Sequence, residues 1–326
     1  MVRVLFAGTP EAAVPSLQAL LASEHEVAAV LTRADAPAGR GKRLTPSPVR
    51  VAAEAAGIPV ITGNPSTEET QTQIADLNCQ AAAVVAYGHL LRPAPLALMP
   101  EGWFNLHFSR LPDWRGAAPV QWALINGEAE VGVSVFRLDA GMDTGPVFAQ
   151  QTFPAGPEET TGTLLPKLAE LGADLLVKVF DDLVAGSAKG TPQAGTASFA
   201  PKITTEQAQV NWHRPNVEVA NLIRGVTPAP GAWTTLTNPG VEPVRLGIGP
   251  VTLPTGTYIN RSDIKIDLGP QANLQPGQIL VQKRAVWVGT ADGPVQLGIL
   301  QAPGKKPMPA TDWARGARLT EDSRLQ

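Results

Sequence analysis

The sequence predicts an α/β fold, an open doubly wound domain with a mostly parallel sheet, followed by a small OB-like β-barrel. Three observations predict it. Short, continuously apolar runs such as "VRVLFAG" and "QAAAVVAY" alternate with helix-like segments through the first half of the chain. Those runs show no polar alternation, so they are covered on both faces, as strands of a parallel sheet are. Beyond residue 209 the pattern changes to short strands broken by Pro and Gly, which suits a small antiparallel barrel.

Each element has its own signal. "VRVLFAG" (2–8) is rich in β-branched residues and ends in Gly; Thr9 and Pro10 then read as a helix N-cap and first-turn proline before "EAAVPSLQALL". The cycle repeats with "EVAAVLT" as strand, "PVRVAAEAAG" as helix and "IPVIT" as strand. "STEETQTQIADLN" follows as helix and "QAAAVVAY" as strand. After the strand "WFNLHFS" and the helix-like "PVQWALINGE" come two extended stretches, "VGVSVFRLD" and "PVFAQQTF". Leu164, Leu168, Leu171, Leu175, Val179 and Leu183 recur at three- and four-residue spacing, predicting an amphipathic helix over 163–185. "GSAKGTPQAGTASFAPKITTEQ" is poor in large apolar residues and reads as a linker. The expected layout is therefore an α/β domain over 1–188, a linker over 189–208 and a barrel over 209–326. Within the last, "NVEVANLIRG" is a helix, and "AWTTLT", "VRLGIG", "IKIDLG", "ILVQKRAVWVGT" and "VQLGIL" are strands.

Composition narrows the function. Of 326 residues, 44% are apolar and 17% charged, enough for proper cores. One cysteine, Cys79, excludes a disulfide framework, and four scattered histidines leave no zinc-ligand spacing, so no metal is expected. No apolar run approaches the ~18–20 residues of a membrane helix, and "MVRVLFAGTP" is too short for a signal peptide. A cytoplasmic, membrane-free protein is expected. The net charge of -3 conceals an asymmetry: residues 209–326 carry 12 Lys and Arg against 8 Asp and Glu, the remainder 14 against 21. A mildly basic tail on an acidic body suits an anionic partner for the tail, such as a nucleic acid.

Candidate sites follow from position. "AGRGKRL" has neither the spacing nor the Ser or Thr of a phosphate-binding loop, and "GTPEAAV" lacks the later glycines of a dinucleotide fingerprint. "RADAPAGRGKRLTPSP" does offer a long loop with Arg33, Arg40, Lys42 and Arg43 after the second strand, at the sheet's carboxyl edge. Asn105 and His107 lie two apart, so they share one face of their strand, and "RLDAGMDTGPV" adds Asp139 and Asp143 beside Gly141 and Gly145. An amide donor, an imidazole and a carboxylate form an acyl-transfer set. The same three residues are also compatible with a satisfied hydrogen-bond cluster. No Ser or Cys nucleophile stands beside a base, which favours direct transfer over an acyl-enzyme.

"NLHFSRLPDWRGAAPVQWALINGE" together with "GVSVFRLDAGMDTGPVF" resembles the folate-dependent formyltransferases, whose mark is Asn-x-His followed later by an Asp-Thr-Gly turn. Within that family, "FAGTPEAAVPSL", "PAGRGKRLTPSPV", "VVAYGHLL" and "LIRGVTPAPGAWT" are similar to the members that act on charged tRNA. The resemblance implies a Rossmann-like catalytic domain and a tRNA-binding OB-like barrel. It also implies transfer of the formyl group of 10-formyltetrahydrofolate to the α-amino group of methionyl-initiator tRNA, by direct attack through a tetrahedral intermediate. Asn105, His107 and Asp143 become the catalytic set, with His107 protonated. Tyr87, Gly88, His89, Leu90, Ser109, Arg110, Leu111, Pro112 and Asp139 fall on the folate site, and Arg40, Lys42 and Arg43 on the tRNA loop. Arg110 replaces a common Leu, His89 stands where other members are apolar, and Ala229 where an aromatic is common. A monomer is expected. A glycinamide-ribonucleotide or sugar-amine formyltransferase would share the catalytic set but lack the "PAGRGKRL" loop and the basic barrel.

Overall fold

Strand β1 (Arg3–Gly8) is an interior strand of a seven-stranded sheet and is buried over nearly its whole length. The computed structural model describes residues 1–38, 43–254 and 273–326. The expected strand "IKIDLG" and the loop residues Arg40 and Lys42 lie outside the described residues. The chain divides into two units, the first made of Met1–Pro119, Glu130–Pro154 and Leu165–Pro201, the second of Val120–Ala129, Ala155–Leu164 and Lys202–Gln326.

In the first unit, β1 leads through a 3₁₀ turn (Glu11–Ala13) into α1 (Val14–Leu21). Thr9 does not cap it; its hydroxyl donates instead to the Tyr87 carbonyl at 2.8 Å, and Pro10 holds the cap position. Next come β2 (Glu26–Leu31), then β3 (Ala36–Ala38) and β4 (Arg43–Thr45), which pair as a hairpin within the stretch read as open loop. Helix α2 (Pro48–Ala55) is capped by Ser47, which accepts from the Arg50 N–H at 3.0 Å, and Pro48 occupies the first turn as the sequence signals. Strand β5 (Val60–Ile61), α3 (Glu68–Asp76) capped by Thr67, β6 (Ala81–Val85), α4 (Pro93–Leu96) and β7 (Gly102–His107) follow.

After α5 (Pro119–Ile125), strands β8 (Glu130–Arg137) and β9 (Val147–Pro154) complete the sheet in the order β5-β2-β1-β6-β7-β8-β9. The pairs from β5 to β7 are parallel; β8 runs antiparallel to both β7 and β9. The mostly parallel sheet is thus as the sequence predicts.

Helix α6 (Thr161–Val184) is where the predicted buried stripe shifts. Leu164, Leu168, Val179 and Phe180 are buried, but Ala169, Ala173 and Leu176 take the remaining core positions while Leu171, Leu175 and Leu183 are only half-buried. Small residues carry little hydrophobic signal, yet they let the helix approach closely. A Cβ on Gly172 would lie 2.6 Å from a Leu106 methyl, so α6 rests directly against the strand bearing Asn105 and His107.

The second unit holds α7 (Asn216–Gly225) and antiparallel strands. β10 (Ala232–Asn238) pairs with β11 (Val241–Ile248), and β12 (Val251–Thr252) follows. "ILVQKRAVWVGT" folds not as one strand but as the hairpin β13 (Ile279–Val281) and β14 (Val286–Gly289), turned at its charged centre. β15 (Pro294–Leu297), β16 (Ile299–Gln301), β17 (Met308–Pro309), α8 (Ala310–Gly316) and β18 (Arg324–Leu325) complete it. Among the described residues these strands form a five-stranded and a four-stranded sheet. Trp212 is buried in this unit and its indole N–H donates to Thr234 Oγ1 at 2.9 Å.

Candidate active site

In the first unit the strand order reverses between β1 and β6, and open α/β sheets take ligands beyond the carboxyl ends of strands at such a point. A cavity of about 470 Å³ lies there. Its apolar walls include Leu90, Leu91, Leu106, Phe108 and Leu138, and Asn105, His107, Asp139 and Asp143 supply the polar side chains. The apolar cluster of Leu5, Ala82, Val84, Tyr87, Leu91 and Trp103 is contiguous with it. On β7, Trp103, Asn105 and His107 share one face: Trp103 packs into that cluster, and the two polar residues continue the face into the cavity. The Asn105 carboxamide makes no hydrogen bond to any described residue, which leaves its donors available to a ligand.

His107 is buried, and its Nε2 lies 2.9 Å from the Trp114 carbonyl. A carbonyl can only accept, so the proton belongs on Nε2 and the Nδ1 lone pair is free. Nδ1 stands 3.9 Å from Asp143 Oδ2. Burial holds the imidazole below its ordinary pKa, against the opposing pull of Asp143 and the Trp114 carbonyl. Burial is the larger influence, because loss of water costs the charged form more than one carboxylate at this distance returns.

Asp143 has φ 53°, a left-handed conformation that a non-glycine residue keeps only when its surroundings hold it. Its Oδ2 accepts from the Gly116 N–H at 2.7 Å. The turn is also pinned sterically: a Cβ on Gly145 would lie 1.8 Å from the Arg137 carbonyl oxygen. Asp139 Oδ1 accepts from the Gly141 N–H at 2.9 Å and from Thr144 Oγ1 at 2.6 Å, so it organises the same loop while lining the cavity.

Tyr87, Gly88, His89 and Leu90 all line the cavity, as the sequence suggests. Burial pushes the Tyr87 hydroxyl up to about 12. His89 lies 5.2 Å from the Tyr87 ring, and burial together with Arg33 lowers its pKa. Ser109, Arg110, Leu111 and Pro112 do not line this cavity. The Ser109 hydroxyl donates to the Asp113 carbonyl. Ser134 Oγ donates to the Ser109 carbonyl at 2.7 Å and accepts from the Leu111 N–H at 3.1 Å. Arg110 stands 3.8 Å from Glu130. These contacts fix the loop that leads from β7 to Trp114. Arg43 is exposed on β4.

Residues that sequence reasoning passed over complete the site. Trp114 supplies the carbonyl for His107, Gly116 the N–H for Asp143, and Ser134 with Gln150 brace the loop before them. Gln193, from the linker-like stretch, donates to the carbonyls of Asp143 and Gly145. The positive φ of Gly116 could be suspected from "DWRGAAP"; nothing in the sequence marks Gln193.

A formyl transferase family model matches residues 2–180, and a formyl transferase C-terminal domain model matches 202–318. The methionyl-tRNA formyltransferase of Salinispora tropica is 48% identical over 320 residues, covering 98% of each chain. That of Clavibacter michiganensis subsp. michiganensis is 49% identical over 314 residues, 96% of this chain and 97% of the other. Among solved structures, HypX from Aquifex aeolicus in complex with tetrahydrofolic acid shares the fold, with a TM-score of 0.61 at 18% identity over 95% of this chain and 46% of that longer one. Matched in both domains and along nearly its whole length, the chain belongs to the methionyl-tRNA formyltransferases of the formyl transferase family.

Proposed function

We propose that this chain transfers the formyl group of 10-formyltetrahydrofolate to the α-amino group of methionyl-initiator tRNA, by direct attack through a tetrahedral intermediate, for translation initiation. The observation that carries the reading is the convergence of Asn105, His107 and Asp143 on a cavity whose other walls are largely apolar. The name shared by its full-length relatives supports it. A cavity of about 470 Å³ is of the size that takes a flat heteroaromatic ligand. Leu90, Leu91 and Leu138 would cover such a ring. Bound there, the folate supplies an activated formyl carbonyl.

The chain's own residues then act in sequence. The methionyl amine, with a pKa near ~7.7, is neutral in an appreciable fraction and attacks the formyl carbon. Asn105 donates to the oxygen on which charge develops; a preorganised donor of this kind is worth roughly 3–4 kcal/mol. Neutral His107 takes the amine's proton on Nδ1. The imidazolium so formed keeps Nε2–H on the Trp114 carbonyl and faces the Asp143 carboxylate. The tetrahedral intermediate then collapses, the bond from the formyl carbon to the folate nitrogen breaks, and that nitrogen takes up the proton as tetrahydrofolate leaves. Arg40, Lys42 and Arg43, with the mildly basic stretch 209–326, grip the tRNA. The protein works as a cytoplasmic monomer.

The test is formyl transfer by the purified protein from 10-formyltetrahydrofolate to methionyl-initiator tRNA, with charged elongator tRNA and amino sugars as competing acceptors. Preferential formylation of the initiator is expected. No transfer, or faster transfer to a sugar amine, would refute the reading.

A further inference from the structure

The turn that carries Asp143 is held from behind by one side chain. Gln193 Nε2 donates both of its protons, to the Asp143 carbonyl at 2.8 Å and to the Gly145 carbonyl at 2.9 Å. Its Oε1 accepts from Arg115 Nε at 3.2 Å and Nη2 at 2.7 Å. The amide can sit only this way round, since the flipped form would set oxygen against two carbonyls and NH₂ against a guanidinium. Gln193 is itself fixed: neighbouring Thr191 exchanges two 2.8 Å backbone hydrogen bonds with Val147 of β9. Arg115 is fixed too, donating its N–H to the Ser198 carbonyl at 2.9 Å and accepting from the Ala200 N–H at 2.8 Å.

Arg115 stands between Trp114, whose carbonyl meets His107, and Gly116, whose N–H meets Asp143. The carboxylate of Asp143 is therefore tied at both ends: Oδ2 to the 114–116 segment, and backbone to Gln193, which grips that segment through Arg115. We propose that Gln193 is a positioning residue for the reaction, holding the Asp143–Gly145 turn so that the Asp143 carboxylate stays aligned with His107. The proposal rests on the catalytic reading of Asp143 given above. Asp143 is the titratable group that faces His107, whose ring also meets the Trp114 carbonyl and the edge-on Phe136 ring. If the turn slackens, the carboxylate supports the imidazolium less well. Turnover then falls, and the limb of the pH profile set by His107 moves to lower pH.

The experiment compares Gln193→Ala, Gln193→Glu and Asp143→Asn in the full chain, with steady-state kinetics for both substrates, a kcat–pH profile and a melting curve. Gln193→Glu keeps the shape and the pairing with Arg115 but has no protons for the two carbonyls. Both Gln193 variants should lose roughly 10-fold or more in kcat, with KM changed by no more than ~2-fold. The His107 limb should shift to lower pH. In the Asp143→Asn background, Gln193→Glu should add no further loss, since both changes remove one function. A purely structural tie through Arg115 would instead leave Gln193→Glu with wild-type kcat and pH profile, and that result overturns the proposal. Additive losses in the double variant overturn it as well. If Asp143→Asn alone kept wild-type turnover, this proposal and the catalytic reading of Asp143 would fall together.

Discussion

Replacing Asp143 by Asn removes a charge and little else. Asn tolerates the left-handed φ of 53° better than most residues, and its side-chain oxygen can still accept from the Gly116 N–H. What disappears is the attraction between a carboxylate and the imidazolium that forms 3.9 Å away. At that distance a charge pair is worth about 1 kcal/mol in water and about 4 kcal/mol at the effective dielectric of a protein site. The side chains are 6% and 16% exposed for His107 and Asp143, so the larger figure is the closer one. A loss of about 3–4 kcal/mol from the transition state is a rate reduction of roughly 10²–10³-fold. The assay is single-turnover formylation of methionyl-tRNA with saturating 10-formyltetrahydrofolate, accompanied by folate binding and a melting curve. Turnover should fall by that factor while folate affinity and melting temperature barely change. A variant retaining more than about a tenth of wild-type turnover would remove the carboxylate from the mechanism. A large drop in melting temperature would show instead that its task is to hold the loop.

Four further outcomes are expected. His107 and His25 both have their pKa lowered, chiefly by burial, with Asp143 and Asp181 respectively opposing. Each binds its proton less readily folded than unfolded, so the stability is complete above the ordinary histidine pKa of ~6.5 and is lost as pH falls below it. Melting temperature should accordingly drop between pH 7.5 and 5.5, and His25→Gln should flatten that slope; a pH-independent melt would contradict the burial argument. Gly145→Ala should destabilise by about 1–3 kcal/mol, because its Cβ has no room beside the Arg137 carbonyl; urea midpoints with and without the substitution measure it. Arg43→Ala should weaken methionyl-tRNA by about 1–3 kcal/mol, the scale of a charged contact, and leave folate affinity unchanged. Binding of tRNA to the intact protein should also weaken steeply between ~50 and ~200 mM salt, as filter binding or anisotropy would read.

How much of this was legible depends on whether the signal is local. The parallel sheet was, because "VRVLFAG" and "QAAAVVAY" are apolar on both faces and each is followed by a capped or proline-started helix. Ser47 and Thr67 cap as such residues do. Thr9 does not, because a tertiary partner, the Tyr87 carbonyl, competes for its hydroxyl. The buried stripe of α6 was misplaced for a related reason: Ala169, Gly172 and Ala173 look neutral in sequence and become core only where a strand lies close against them.

The site divides along the same line. Asn105 and His107 could be paired from sequence because a strand's two-residue period puts them on one face, and Asp143 could be suspected from the glycines around it. Taken alone, the chain determined that an amide, an imidazole and a carboxylate stand at the carboxyl edge of a doubly wound sheet. Only the tertiary structure decided which nitrogen of His107 meets the Trp114 carbonyl, that burial opposes charge on the ring, and that Ser134 and Gln150 brace the Ser109–Pro112 loop. It also decided that Gln193 reaches the Asp143 turn from far along the chain. Protonation and orientation are set by what surrounds a group, by excluded water and by carbonyls brought from distant segments. No residue's identity, spacing or periodicity encodes those neighbours before the chain has folded.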